Sequence, residues 1–296
     1  MTGSPKPPDG TADPGVVERV VEVLRRAPAG LLTDIDGTIS RIAPSPDAAT
    51  VEPAMVAMLA RLAGRLAVVA ALTGRSAADA ARMVGVPGLL YVGNHGLERL
   101  GPGSGERAPA IDPAAAPFVP VVRETLAAAE RAARAAGLRG LLFEDKGLTA
   151  SIHYRLAPDP AGARATLLPI VQGLADAGGL RLTEGRLVLE LRPPVHGNKG
   201  TALAALVDDY ALAGATFLGD DVTDLDAIAE LRRLRDAGRL AGLAVGVVAS
   251  ESPPALREAV DLAVPGVDGV AALLAAVAER LERGISPPAD ARTGDP

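Results

Sequence analysis

Short apolar runs alternate with helical segments along most of this chain, and that alternation limits the fold more than any other feature. Residues 31–34, 66–72, 89–93, 216–219, 243–248 and 261–264 read as buried strands. Residues 52–65, 77–84, 199–210 and 224–237 between them read as helices. Apolar strands alternating with helices predict an α/β fold: a Rossmann-like parallel sheet with helices on both faces. The middle of the chain reads differently. A long helical stretch over 116–136 is followed by two candidate strands, 148–156 and 186–192, with a helix over 160–177 between them. In the first of these strands Ser151, His153 and Arg155 share one face, and Ala150, Ile152 and Tyr154 the other. Such one-sided alternation belongs to antiparallel strands with one open face. The chain therefore divides into a discontinuous core, 15–109 and 195–285, and an inserted α+β cap, 110–194. The Pro- and Gly-rich stretch 101–116 and Arg192-Pro193-Pro194 are the linkers, and residues 1–14 and 286–296 are expected to be disordered tails.

Composition narrows the function. Hydrophobic residues make up 48% and aromatics only 2%, so the core must be built of Ala, Leu and Val. Net charge is −6 with no Lys/Arg block, which disfavours nucleic acid as a partner. The absence of cysteine excludes disulfides and thiolate chemistry, and with only three histidines it argues against a structural zinc site. No apolar stretch reaches the ~18 residues of a membrane helix. The polar N-terminus has no apolar segment of the signal-peptide kind. No membrane partner and a cytoplasmic location are expected.

Four strand-end motifs carry the chemistry. The run 31–34 stops on Asp34-Ile35-Asp36-Gly37-Thr38, placing two carboxylates at the sheet edge where open α/β folds bind ligands. One aspartate could attack phosphorus while the other manages the leaving-group proton; the plainer alternative is a turn or helix cap. Thr73-Gly74-Arg75 ends the next strand, and its hydroxyl and bare amides suit a phosphoryl oxygen, although Thr73 could merely cap a helix. Lys199, between Gly197 and Thr201 in Gly-Asn-Lys-Gly-Thr, places a point charge at a helix N-terminus, and both favour an anion. Asp220, Asp221 and Asp224 follow a strand within five residues. Such carboxylates repel unless a cation such as Mg²⁺ compensates; a helix cap would explain one of them but not all three.

The order Asp-x-Asp, Thr, Lys, Asp-Asp resembles the haloacid dehalogenase-like phosphatase superfamily. Within it, Tyr91-Val92-Gly93-Asn94-His95-Gly96, Glu144-Asp145-Lys146, Ser151-Ile152-His153-Tyr154-Arg155 and Glu190-Leu191-Arg192-Pro193 resemble the trehalose-6-phosphate phosphatase family. That resemblance runs from about Gly30 to Gly269. It implies Mg²⁺-dependent hydrolysis of trehalose 6-phosphate through an aspartyl-phosphate, with Asp34 as nucleophile and Asp36 as acid and base. It implies Thr73, the Gly74 amide and Lys199 on the phosphoryl oxygens, with Arg75, Asn94, His95, Glu144, Lys146 and Glu190 on the sugar phosphate. Mg²⁺ would be held by the Asp34 carboxylate, the Asp36 carbonyl and Asp220, with Asp221 or Asp224 holding its waters or the lysine. For Glu144, Glu190 and Lys146 the residues alone allow either sugar-hydroxyl contacts or a solvated strand face. His153 and Arg155 read first as structural support. A functional link to a trehalose-6-phosphate synthase goes with this family. Sucrose 6-phosphate, a glycosyl-phosphoglycerate, or a non-catalytic sugar-phosphate sensor are the alternatives.

Overall fold

The structure, a computed structural model, describes residues 12–102, 108–249 and 252–283. The first half of the chain supplies α1 (Pro14–Leu24), β1 (Ala29–Thr33), α2 (Pro53–Ala63), β2 (Val68–Leu72), α3 (Ala77–Val84), β3 (Leu90–Gly93), β4 (Glu98–Leu100) and β5 (Ala110–Ile111). The middle supplies α4 (Val119–Ala135), β6 (Leu142–Asp145), β7 (Ala150–His153), α5 (Pro160–Ala177), β8 (Arg181–Gly185) and β9 (Val188–Arg192). The last part supplies α6 (Lys199–Asp209), β10 (Gly214–Gly219), α7 (Leu225–Asp236), β11 (Ala241–Val248), α8 (Pro254–Ala259), β12 (Leu262–Pro265) and α9 (Gly266–Arg283).

Two sheets result. The large one has the order β12-β11-β10-β1-β2-β3-β4-β5, parallel from β12 to β3 and antiparallel at the β3-β4-β5 edge. Every residue of β1, β2 and β10 is buried, as expected for strands covered on both faces. Leu31, Val69, Ala71 and Leu218 face a layer that includes Val20, Leu59, Ala80 and Leu274, from α1, α2, α3 and α9. Leu32, Ala70, Leu72 and Phe217 face the opposite layer, with Leu203 and Leu206 of α6 and Leu231 of α7. Small side chains thus build both layers, as the low aromatic content requires.

The second sheet, β6-β7-β9-β8, is antiparallel throughout. Phe143, Ile152, Leu189 and Leu191 pack on Val122, Leu126, Leu167 and Val171 of α4 and α5. The partners Glu144, Ser151 and Glu190 lie in one row across three strands, so the period-two pattern puts the polar side chains together on the other face.

Several details differ from the sequence reading. The helix α1 starts at Pro14 with Asp13 as its N-cap, so the expected tail overruns it by one residue; residues 1–11 and 284–296 lie outside the described residues. Ala110 and Ile111, counted with the insert in that reading, pair with β4 in the large sheet. Residues 103–107 of the expected linker also lie outside the described residues. Among the described residues no helix is long and apolar enough to cross a membrane.

Candidate active site

The chain leaves β1 toward β2 on one side of the sheet and returns through β10 on the other, so β1 and β10 flank a switch point at the carboxyl edge. Asp34 follows β1, Thr73 follows β2, Asn94 follows β3 and Asp220 follows β10. Parallel strands put all four loops on one edge, which is why residues far apart in sequence meet.

At the centre, Lys199 Nζ lies 2.6 Å from Asp34 Oδ1 and 2.6 Å from Asp224 Oδ1. Lys199 is only 2% exposed. It opens α6 behind the Asn198 N-cap, where a positive charge is unfavourable to the helix dipole and needs the carboxylates to offset it. Burial works against the Lys199 ammonium, but Asp224 and Asp34 outweigh it and hold the group charged. Asp224 is fully buried and also accepts from the amides of Asp220 (2.9 Å) and Asp221 (3.1 Å). It therefore folds the loop that presents Asp220. The Asp221 carboxylate caps the short turn Val222–Asp224 by accepting from the Val222 amide at 2.7 Å.

Asp34, Asp220 and Asp224 bring one oxygen each within 4.8 Å of one another, a cluster that could hold a metal ion. Thr38 Oγ1 donates to Asp220 Oδ1 at 2.9 Å. Burial first, and then Asp224, push the Asp220 carboxyl up to about 7. Burial also raises Asp34, against the pull of Lys199. Three acidic groups with one ammonium among them carry an excess of negative charge, and hard oxygen donors of this kind fit a hard divalent cation. Gly37 is what lets the loop close here. Its φ is +94°, and a Cβ in its place would stand 2.0 Å from Asp220 Oδ2.

Asp36 points elsewhere. Its carboxylate takes both arms of the Arg75 guanidinium, at 2.7 and 2.8 Å, so any contribution to a cation would have to come through its main-chain carbonyl. The Thr73 hydroxyl is buried and accepts from the Arg75 amide at 3.1 Å, with no acceptor for its own proton among the described residues.

The polar face of the second sheet lies against this edge. Lys146 Nζ reaches Gly74 O (3.1 Å) and Glu190 Oε1 (3.1 Å). His95 Nε2 meets Glu190 Oε2 at 2.9 Å, and His153 Nε2 meets Glu144 Oε2 at 3.0 Å. Asn94 donates to Lys146 O and accepts from Thr149 Oγ1. Arg155 donates to Ala43 O, beyond β1. Asn94 and His95 both hold left-handed backbone, φ 46° and 57°, which turns the loop so that His95 projects toward Glu190. Gly74 makes room for that ring, since a Cβ there would meet it at 2.8 Å. Burial lowers His95 and keeps its imidazole neutral near pH 7. It then acts toward Glu190 as a hydrogen-bond donor through Nε2–H, and Lys146 supplies the countercharge. Burial would raise Glu190, but His95, Lys146 and Arg192 together hold it well below the carboxylate range.

Most of the residues singled out from the sequence come together in two groups: Asp34, Asp36, Thr73, Gly74, Arg75, Asn94, His95, Lys199, Asp220 and Asp224 at the edge of the large sheet, and Glu144, Lys146, His153 and Glu190 on the small one, whereas Asp221 caps a turn and Arg155 reaches Ala43 O. The structure adds Thr38, Asp79, Thr149 and Arg192. Thr38 had a local signal in Asp-x-Asp-Gly-Thr. Asp79 had none beyond being the first-turn acid of a helix.

Comparison with known proteins gives the family. A family model described as trehalose-phosphatase matches residues 32–255. The trehalose-phosphate phosphatase of Mycobacterium marinum is 38% identical over 200 residues, 66% of this chain and 49% of that protein. That of Mycobacterium tuberculosis (strain H37Rv) is 36% identical over 226 residues, 74% of this chain and 54% of the relative. The chain spans about half the length of these curated relatives. The C-terminal domain of Candida albicans trehalose-6-phosphate phosphatase superposes with a TM-score of 0.71 at 20% identity, covering 92% of this chain and 99% of that one, a likeness of fold. The matched stretch contains Asp34, Thr73, Lys199 and Asp220 together with the whole second sheet, and the chain belongs to the trehalose-phosphatase family.

Proposed function

We propose that this protein hydrolyses trehalose 6-phosphate to trehalose and phosphate by way of a phosphoryl group carried on Asp34. The observation that carries the reading is the buried Asp34–Lys199–Asp224 chain beside Asp220, at the edge where four strand-end loops converge. Asp34 Oδ attacks phosphorus and the bond to the sugar oxygen breaks, with Asp36, entering the step as the protonated acid and leaving it as the carboxylate, giving that oxygen its proton. Asp36 then takes a proton from the water that attacks phosphorus, and the Asp34–phosphorus bond breaks. Lys199 holds the nucleophile in place and, with the Thr73 hydroxyl and Gly74 amide, offers donors to the phosphoryl oxygens.

Asp34 and Asp220, with the Asp36 carbonyl, would hold Mg²⁺, and Asp224 would steady Lys199 and the Asp220 loop. When bound, the ion neutralises charge on the phosphoryl group. On the sugar side, Glu144, Lys146, Glu190 and His95 exchange their mutual hydrogen bonds for sugar hydroxyls, while Asn94 fastens the two sheets together. We infer a cytoplasmic reaction, since a charged sugar phosphate does not cross membranes unaided and would be used in the compartment where it is made. A trehalose-6-phosphate synthase would supply the substrate, and neither nucleic acid nor membrane has a part in it.

The test is phosphate release from a panel of sugar phosphates with Mg²⁺ and with EDTA. Selective release from trehalose 6-phosphate, lost in EDTA, is expected. Release from sucrose 6-phosphate or a glycosyl-phosphoglycerate instead would discard the sugar assignment, and no release from any of them would discard the enzyme.

A further inference from the structure

Arg75 stands next to the reacting groups, yet it has no donor left for a substrate. A guanidinium carries five N–H groups. Here Nε donates to Asp36 Oδ2 at 2.7 Å. Nη1 donates to Asp79 Oδ2 at 2.8 Å and to Pro46 O at 3.2 Å. Nη2 donates to Asp36 Oδ1 at 2.8 Å and to Pro46 O at 3.2 Å. All five are engaged, and the side chain is 9% exposed.

The three partners come from different pieces of structure. Asp36 and Pro46 belong to the loop after β1, whereas Asp79 sits in the first turn of α3, beyond β2. Asp79 is itself fixed: its amide donates to Ser76 Oγ and its second oxygen pairs with Arg82. An acid in that first turn is also favoured by the helix dipole. Burial works against the Arg75 charge, but Asp36 and Asp79 outweigh it. A bidentate fork fixes the plane of a carboxylate and leaves two of its lone-pair directions open.

We propose that Arg75 is not a sugar contact but a positioning residue: with Asp79 and Pro46 O behind it, it aims the Asp36 carboxyl group at the leaving oxygen, which Asp36 protonates as the acid, and at the attacking water, which Asp36 deprotonates as the carboxylate. The inference rests on the phosphatase reading. A lysine could keep the charge at this position but not the fork.

The leaving group separates this role from a merely structural one. p-Nitrophenolate departs without a proton, so the first half-reaction needs no acid, while hydrolysis of the phosphorylated aspartate still needs the base. In stopped-flow measurements with p-nitrophenyl phosphate and Mg²⁺, Arg75→Lys should keep a burst of nitrophenolate near one per active site. Its steady-state kcat should fall about 10- to 100-fold. KM should fall along with kcat, leaving kcat/KM within about threefold of wild type, because kcat/KM reports the first half-reaction, which needs no acid here. Asp79→Asn should show the same burst with a smaller loss, and it reads the same role if Arg75→Lys does not fold. A burst and a steady state that fall together would overturn the proposal, as would a raised KM at unchanged kcat. Absence of turnover by the wild-type protein would instead refute the phosphatase reading beneath it.

Discussion

Replacing Lys199 with methionine removes the one ammonium that Asp34 and Asp224 share, while keeping most of the volume. Both contacts are 2.6 Å long and the lysine is 2% exposed, so solvent cannot substitute for it. Removing one partner from a buried ion pair costs about 3–5 kcal/mol because the remaining charge stays unpaired. That is a large part of the about 5–15 kcal/mol that holds a typical domain together. The loss should depend on pH. Burial already raises the Asp34 carboxyl, and without Lys199 the charge opposing that push is gone. The folded variant therefore binds more protons than its unfolded chain, and its stability falls as pH rises. Each pH unit above the unfolded value, up to the folded one, is worth about 1.4 kcal/mol per proton. Guanidinium denaturation in EDTA should show a deficit of several kcal/mol near neutral pH, smaller at about pH 5.5. Phosphate release with Mg²⁺ should fall about 10²- to 10³-fold. A variant with wild-type midpoints at both pH values would refute the account of this triad. So would one that keeps more than about a tenth of wild-type turnover, given what one such charge is worth.

Three further outcomes are expected. Glu190→Ala should reduce turnover of trehalose 6-phosphate far more than that of p-nitrophenyl phosphate, and equal losses would remove Glu190 from the sugar-binding set. Acid should loosen the contact between the two sheets. His95 is buried and lowered, and Glu190, facing His95, Lys146 and Arg192, is held low, so both bind fewer protons folded than unfolded. Between about pH 7 and 4.5 the raised Asp34 and Asp220 carboxyls, whose contribution to stability grows as pH falls, oppose His95; below about pH 4.5, where the unfolded glutamate titrates, melting temperature should fall, and Glu190→Gln should lessen that fall. Mg²⁺ should raise the melting temperature of the wild-type protein but not that of Asp220→Asn; a shift retained in the variant would place the ion elsewhere.

Much of this site was legible because its chemistry sits where short apolar runs end. Asp34, Thr73, Lys199 and Asp220 each follow such a run or open the next helix, and parallel pairing then has only one edge on which to gather them. The helices α3 and α5 begin and end where the spacing predicts, the latter in spite of Pro169. The helices α1 and α9 were not drawn from the sequence, although their signals were there. Val17, Val20, Val21 and Leu24 repeat at helical spacing behind an Asp-Pro cap, as do Val270, Leu273, Leu274 and Val277. The β4–β5 hairpin and strand β8 are short, polar or exposed, so no hydrophobic pattern marks them.

What local sequence could not carry is which polar groups pair. The family resemblance implies Arg75 on the sugar phosphate, and only the fold shows its donors committed to Asp36, Asp79 and Pro46. Asp224 reads as one of three equivalent carboxylates, and only burial separates it, bonded to Lys199 and two amides, from the capping Asp221. From the sequence Glu144 and Glu190 read either as sugar-hydroxyl contacts or as a solvated strand face. They are drawn into pairs with His153, His95 and Lys146 because that face is covered by the large sheet.

The central claim is that Asp34 carries the phosphoryl group. Acid-quenching the protein during turnover of trehalose 6-phosphate with Mg²⁺, followed by peptide mass analysis, tests it most directly. A phosphoryl group on the Asp34 carboxylate, absent in Asp34→Asn together with turnover, is the result this account predicts. A phosphoryl group on another residue, or an Asp34→Asn variant that still turns over, would contradict it.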